Sequence, residues 1–327
     1  MRIRSLIIFF ILLTGFHVMG QQRGAMKVNL ILDTDIGPDY DDVGAMAVMH
    51  ALADSGRVNI LAVMASNKVP TIAPVISVLN TWFGRPEIPI GVVKGKGVDL
   101  KAWQKWDSVL VADYPHRIRS NDEAEDAVKL YRKILAAQPD HSVTIVTIGF
   151  FTNIADLLRS APDAFSDLDG IRLVERKVAQ LVSMAGAFPK GSEFNVNQDP
   201  VSSKYVAEHC PVKFLLSGFE IGWEVRTGLA LSRSTGPRTP VKDVFSRCIP
   251  MEKQDSLGRM SWDETAVLVA IEGYDRYYDV LEGYFIVHDD GSNEWDENGE
   301  GHFHLVQRSS PQEVQRVLDR LIAHRPR

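Results

Sequence analysis

Short apolar runs alternate with helix-like segments along most of the chain. Residues 28–32, apolar but for Asn29, form a short run of the kind a buried parallel strand presents. Residues 43–49 follow as a helix. The same pairing recurs with strands at 58–64, 88–93, 143–148, 179–184 and 212–216. Helices are expected at 73–83, 121–137, 152–159 and 200–209. Asn121 supplies an N-cap residue for the second of these helices, and Pro200 takes a tolerated first-turn position in the last. Residues 94–120, rich in Gly, Lys, Trp and Asp, read as a long excursion and a candidate lid. Residues 289–301 are acidic and glycine-rich and read as a hairpin loop. Strand–helix alternation of this kind predicts an α/β fold with an open, mainly parallel sheet flanked by helices. No hinge rich in Pro, Gly and Ser divides residues 27–327, so one catalytic-sized domain is expected there.

The first twenty residues depart from that pattern. Arg2 and Arg4 precede an apolar run at 6–13, and Val18 and Gly20 stand before Gln21 as signal-peptidase cleavage requires. The apolar run is too short to span a bilayer comfortably. Residues 1–20 are therefore expected to be a signal peptide, and the mature protein to be exported, periplasmic or secreted, with no stable membrane span. Export permits a disulfide between Cys210 and Cys248, but two buried thiols fit the spacing equally well.

The chain is 45% hydrophobic and 24% charged, ample for a large soluble core. Its 42 acidic residues exceed its 36 basic ones, and no dense basic block is present, which argues against a nucleic-acid partner.

Four motifs carry candidate chemistry, all at strand ends or helix starts. The first holds five aspartates in ten residues, Asp33, Asp35, Asp39, Asp41 and Asp42, just after the first strand. So many like charges with no base between them suit a divalent cation such as Ca²⁺. The carboxyl end of a strand is also where open α/β sheets place ligands. An EF-hand is excluded, because Pro38 stands where its turn needs Gly and Gly44 where its bidentate Glu belongs. An Asp-nucleophile phosphatase of the haloacid-dehalogenase type also uses Asp-x-Asp there, but leaves Asp41-Asp42 unexplained. The third reading is metal-assisted hydrolysis, with a neighbouring carboxylate accepting the water's proton.

In the second motif Glu193, Asn195 and Asn197 alternate, so an extended stretch would set them on one face, as a polyhydroxylated sugar requires. Asp199 reads as the cap of the following helix. The third motif is the turn Thr147-Ile148-Gly149-Phe150, and the fourth is Ser261-Trp262-Asp263-Glu264 at a helix start. Taken alone, Asp263 reads as a helix-start acid. His302 and His304 share a face if they lie on a strand, and read as surface histidines of a hairpin.

Together the four motifs resemble the inosine–uridine-preferring nucleoside N-ribohydrolase family, over nearly all of the chain from Val28 onward. The family's Asp-Thr-Asp-Pro-Gly-x-Asp-Asp is matched by Asp33, Thr34, Asp35, Gly37, Asp41 and Asp42. The resemblance implies a Ca²⁺-dependent hydrolase of the N-glycosidic bond of a ribonucleoside or related N-riboside. It makes Asp35 the base on the metal-held water and Asp41 a ribose-hydroxyl contact. Asp33, Asp35, Asp42, Asp263 and the Ile148 carbonyl are the implied metal ligands. Asn67 is placed near the ribose, and Glu193 and Asn195 match the ribose-binding Glu-Phe-Asn. Dimers and tetramers occur in the family, so a homo-oligomer is implied by resemblance alone. Two extra residues separate Gly37 from Asp41-Asp42, and the family's usual His before the last Asp is here Trp262, whose ring offers stacking but no useful proton. A non-catalytic nucleoside- or sugar-binding protein on the same fold is the alternative that this replacement keeps open.

Overall fold

The structure is a computed structural model that describes residues 27–326; the expected signal peptide, residues 1–20, lies outside them. Among the described residues no helix is long and apolar enough to cross a membrane.

The strands, in chain order, are β1 (Val28–Thr34), β2 (Val58–Ala65), β3 (Ile90–Val92), β4 (Glu125–Asp126), β5 (Val143–Thr147), β6 (Val178–Met184), β7 (Lys190–Gly191), β8 (Lys213–Ser217), β9 (Arg226–Thr227), β10 (Arg259–Met260), β11 (Tyr278–Val287), β12 (Asn293–Asp296) and β13 (His302–Gln307). The helices are α1 (Asp41–Asp54), α2 (Ile72–Trp82), α3 (Trp106–Asp113), α4 (Ala127–Ala137), α5 (Thr152–Arg159), α6 (Gly170–Lys177), α7 (Phe194–Gln198), α8 (Pro200–His209), α9 (Phe219–Trp223), α10 (Leu229–Arg233), α11 (Pro240–Cys248), α12 (Trp262–Glu272) and α13 (Pro311–Ile322).

One sheet runs in the order β4-β3-β2-β1-β5-β6-β8-β13-β11-β12-β7, while β9 and β10 form a separate two-stranded ribbon. From β4 to β13 every neighbouring pair is parallel, and β11, β12 and β7 extend the sheet antiparallel. The chain leaves β1 toward β2, β3 and β4, then returns to the other side of β1 as β5. The order therefore reverses between β1 and β5, and the crevice beyond their carboxyl ends is where such sheets bind ligands. Register sharpens this: Asp33 pairs with Met64 of β2 and Thr147 of β5, and Thr147 pairs with Ser183 of β6. The loops after β1, β2, β5 and β6 thus leave the sheet at one edge.

Alternation of side chains along each strand feeds two cores. Leu30, Leu32, Val63 and Val146 pack on one face, with residues of α1, α2, α11, α12 and α13. Ile31, Ala62, Met64 and Ile145 pack on the other, with residues of α4, α5, α6 and α8. Each such fully buried aliphatic side chain contributes about 1.5–3 kcal/mol relative to exposure. Helix α1 is apolar all round because it is covered all round; every residue from Asp41 to Leu52 is buried. It lies so close to α12 that a Cβ on Gly44 would come within 2.1 Å of the Glu264 carboxylate.

Several local expectations change in tertiary context. The helix expected from Asn121 starts at Ala127, where the Asp126 side chain accepts from Lys129 N at 2.9 Å. Asn121 instead spends its side chain on Val69 O and Ala73 N, tying its loop to the start of α2. The 94–120 excursion contains α3, anchored by the buried Trp106. The 289–301 loop contains β12, because partners on β11 and β7 are available there. Helix α6, capped by Asp169, was not expected; half of its eight residues are charged, which hides its short apolar stripe. His302 and His304 are buried rather than on the surface, stacked against Tyr284 and Phe188 respectively. Both cysteine thiols are free, Cys248 buried and Cys210 half-buried.

Candidate active site

A cavity opens at the carboxyl edge of the sheet. Asp35, Asp39 and Asp41 enter it from the β1–α1 loop, Ile148 and Met184 from the ends of β5 and β6, and Glu193, Phe194 and Asn195 from around α7. Phe219 of α9 and Trp262 and Asp263 of α12 complete the wall. Seven expected site residues thus meet in one place: Asp35, Asp41, Ile148, Glu193, Asn195, Trp262 and Asp263.

The β1–α1 loop is held by its own short side chains. Thr34 Oγ1 accepts from Ile36 N at 3.1 Å and donates to Asp42 Oδ1 at 2.5 Å, which fixes the entry to α1. Asn67 Nδ2 donates to the Asp35 carbonyl at 3.1 Å and to Leu100 O at 2.8 Å. Its Oδ1 accepts from Val69 N and Leu100 N. An amide has two donors and two acceptor sites, so Asn67 has none left for a sugar. In this arrangement Asn67 braces the backbone of Asp35 and lies outside the cavity lining. On the opposite side the backbone of Gly149 presses against Asp35; a Cβ there would lie 2.4 Å from Asp35 N.

Asp33 also departs from its expected place. Both its oxygens accept from Asn153 Nδ2, at 3.1 and 3.2 Å, and Oδ2 also accepts from the Tyr131 hydroxyl at 2.9 Å. It is fully buried and outside the cavity lining. The reason is register: Asp33 is the penultimate residue of β1, and its side chain turns to the α4–α5 face while Asp35 lies beyond the strand end.

A divalent cation fits what remains. Asp42 is fully buried, and its Oδ2 has no hydrogen-bond partner. An unpaired buried carboxylate oxygen is costly unless a cation or proton meets it. Burial first, then the neighbouring acids Asp35, Asp39 and Asp41, push the Asp42 carboxyl well above the ordinary carboxylate range. Asp35 and Asp263 are raised in the same direction, again by burial first and then by nearby aspartates. Such a set binds protons tightly because it lacks positive charge, and a divalent ion reverses that preference. Hard carboxylate oxygens and a backbone carbonyl at Ile148 are the donors that Ca²⁺ takes. Asp39, Asp41 and Asp263 also bring oxygens within 4.8 Å of one another. Two of these three are already paired with Arg259, whose Nη2 lies 2.7 Å from each. Spacing alone would place an ion among them; Asp42, outside the cavity lining, adds a buried oxygen without a partner, near enough to Asp35 and Asp263 for their charges to raise one another.

The opposite wall is polar at its base. Residues 193–197 are not extended as their alternation suggested. Glu193 caps α7, with Oε1 accepting from Asn195 N at 2.9 Å and Oε2 from Val196 N and Gly186 N. A one-turn helix still sets Glu193 and Asn195 toward the cavity, but Asn197 turns away to Asp290 O. Burial lifts the Glu193 carboxyl to about 7, although the backbone N–H groups pull it down. Asn195 Nδ2 donates to Met184 O at 3.2 Å and reaches Ile148 O at 3.5 Å. Asp199 caps α8 through Ser202 N.

The mouth is aromatic. Trp262 Nε1 donates to Phe219 O at 2.7 Å, and the two rings lie 5.2 Å apart, with Trp223 beyond them. Phe194 and Phe219 are exposed at 44% and 37%, a high fraction for large apolar rings and one that leaves their faces open. Among the described residues no histidine lines this cavity, and His302 and His304 are occupied on the sheet. Arg259, Met184 and Phe219 were missed from sequence. A lone arginine three residues before Trp262 carries no local signal of the aspartates it meets.

The family model described as "Inosine-uridine preferring nucleoside hydrolase" matches residues 30–307. A curated relative, the pyrimidine-specific ribonucleoside hydrolase RihA of Citrobacter koseri, is 30% identical over 218 residues, covering 60% of this chain and 61% of that protein. The chain thus spans about three-fifths of the length of the curated relatives it matches. The purine-preferring ribonucleoside hydrolase of Gardnerella vaginalis superposes with a TM-score of 0.71 at 17% identity, over 90% of this chain and 98% of that one. The inosine–uridine preferring nucleoside hydrolase of Bacillus anthracis superposes with a TM-score of 0.64 at 15% identity, over 91% and 99%. These structural likenesses bear on the fold. The family match removes the support for an Asp-nucleophile phosphatase.

Proposed function

The chain belongs to the inosine–uridine preferring nucleoside hydrolase family, and from that premise we propose that it hydrolyses the N-glycosidic bond of a ribonucleoside or related N-riboside with the aid of Ca²⁺. One observation carries this reading. Asp35 and Asp263 line a strand-end cavity whose opposite wall offers Glu193, Asn195 and open aromatic faces, and buried Asp42, with one unpartnered oxygen, lies near enough for the three charges to raise one another.

Asp35, Asp42, Asp263 and the Ile148 carbonyl would hold the ion. When bound, Ca²⁺ lowers the pKa of a coordinated water and orients it. Asp35 accepts the water's proton as the oxygen attacks the anomeric carbon; it lines the cavity, and Asn67 and Gly149 fix its backbone. Asp41, Glu193 and Asn195 take the sugar hydroxyls. Carboxylates beneath the ring favour the positive charge that develops as the bond to the base breaks. Trp262 and Phe219 present flat faces to the leaving base. The leader at residues 1–20 is proposed to direct export; N-terminal sequencing of the mature protein should begin at Gln21.

A panel of nucleosides and N-ribosides, assayed for free reducing sugar with and without chelator, tests the activity. Turnover should need Ca²⁺, and Asp35→Ala should abolish it while circular dichroism shows a folded protein. Unchanged turnover in that variant would sink the mechanism. The absence of a histidine from the lining favours one second reading, a nucleoside- or sugar-binding protein without turnover. Calorimetric binding of ribose with no release of base would select it.

A further inference from the structure

Arg259 is buried behind the cavity, outside its lining, on the short ribbon strand β10. Its Nε and Nη2 donate to Asp41 Oδ1 at 3.0 and 2.7 Å, and Nη2 also donates to Asp39 Oδ2 at 2.7 Å. Nη1 lies 4.0 Å from Asp255 Oδ1. The guanidinium carbon sits 5.0 Å from the centre of the Tyr40 ring and 5.1 Å from that of Trp262. Tyr40 in turn donates to Asp255 Oδ2 at 2.6 Å. Three carboxylates and two aromatic rings therefore surround one cation. Asp39 and Tyr40 belong to the longer spacing between Gly37 and Asp41-Asp42, so the extra residues are engaged by this arginine and by Asp255.

The consequence concerns ion count. Asp39, Asp41 and Asp263 have the spacing of a cation cage, and the cluster around them carries more carboxylates than one divalent ion neutralises. We infer that Arg259 is a positioning residue that stands in for a second cation, taking Asp39 and one oxygen of Asp41 out of competition for Ca²⁺. A fixed guanidinium does this by geometry: a planar fork bonds two carboxylates at once, which an ammonium does less well. Asp41 lines the cavity and keeps Oδ2, held only by a long 3.4 Å contact from Asp263 N. Asp35, Asp42 and Asp263 are left to a single ion. This rests on the calcium reading above and extends it to stoichiometry.

The test is calorimetric titration with Ca²⁺ alone, beside nucleoside kinetics, on the wild-type chain, R259Q, R259K and the double variant R259Q/D39N. The wild type should bind one ion. R259Q should bind two, or one with altered affinity, and show a larger rise in KM than fall in kcat. The double variant, which removes one of the freed charges, should return to one ion. R259K should keep one ion but raise KM, because it cannot bond both aspartates in the same geometry. If R259Q fails to fold, R259K and the double variant carry the test, and a wild-type KM in R259K overturns the inference. One ion of wild-type affinity with a wild-type KM in R259Q overturns it too. A wild-type chain that binds no divalent ion overturns the calcium reading itself, and this inference with it.

Discussion

Gly149→Ala tests whether the placement of Asp35, rather than its mere presence, sets the rate. The new Cβ would lie 2.4 Å from Asp35 N, 2.7 Å from Asp35 Cβ and 2.8 Å from Ser66 Oγ. An ordinary contact needs about 3.5 Å, so something must yield by roughly 1 Å. The turn cannot simply back away. Ile148 N is bonded to Asp33 O at 2.8 Å and Ser66 N to Thr34 O at 2.9 Å, so both flanking turns are pinned to β1. The element with most freedom is the loop that carries Asp35. Overpacking of this kind costs about 1–3 kcal/mol of stability, and a 1 Å displacement of a reacting group costs on the order of 10²-fold in rate. The expected outcome is a folded protein, modestly less stable by thermal unfolding, with kcat/KM for sugar release down by roughly two orders of magnitude. Gly95→Ala is the control, since a Cβ there meets nothing within 4 Å, and it should behave as wild type. A Gly149→Ala protein with wild-type kcat/KM would refute the argument that this glycine places Asp35.

Three further outcomes are expected. Tyr131→Phe removes the hydroxyl that donates to Asp33 Oδ2; chemical unfolding should show a loss of about 1–3 kcal/mol with kcat nearly unchanged, whereas a collapse of kcat at wild-type stability would return Asp33 to the metal shell. Burial raises the Asp33 and Glu193 carboxyls to about 7 in the ion-free protein. Their folded values exceed their unfolded ones, so the folded state holds the protons more tightly and loses stability as pH rises from roughly 4 toward 7. Thermal unfolding in chelator should therefore give a higher Tm at pH 5 than at pH 8, with Ca²⁺ narrowing the gap; a chelated Tm that rises with pH contradicts this. Trp262→Ala should raise KM for nucleosides by about 2- to 13-fold, the worth of one aromatic stack, and an unchanged KM would mean the base lies elsewhere.

The sheet was legible because its signal is local. Buried parallel strands must be apolar on both faces, so residues 28–32 and 143–148 announce themselves, and α1 reads as a helix with no polar face. Asp35, Asp41 and Asp42 stood out for a related reason, five acids crowded at one strand end, whereas Asp263 alone reads as a helix-start acid and joined them only through the family resemblance. The sequence could not show that all four hydrogen-bonding sites of Asn67 are engaged by neighbouring backbone, because those partners come from the fold. Glu193 and Asn195 were found through an alternation that is not extended in fact; a cap and a single turn place them instead.

The order of apolar and polar residues thus determined the alternating architecture, the strand ends and the acids that gather there, because periodicity and charge density act over a few residues. Which acids face the cavity was decided only in three dimensions. Asp33 meets Tyr131 and Asn153, more than ninety positions away, and Arg259 meets Asp41 at a separation of 218 residues. No linear pattern encodes those pairings. They follow from strand order and register, which bring the ends of β1, β5 and β6 to one edge and leave each carboxylate to whichever donor or cation the fold sets beside it.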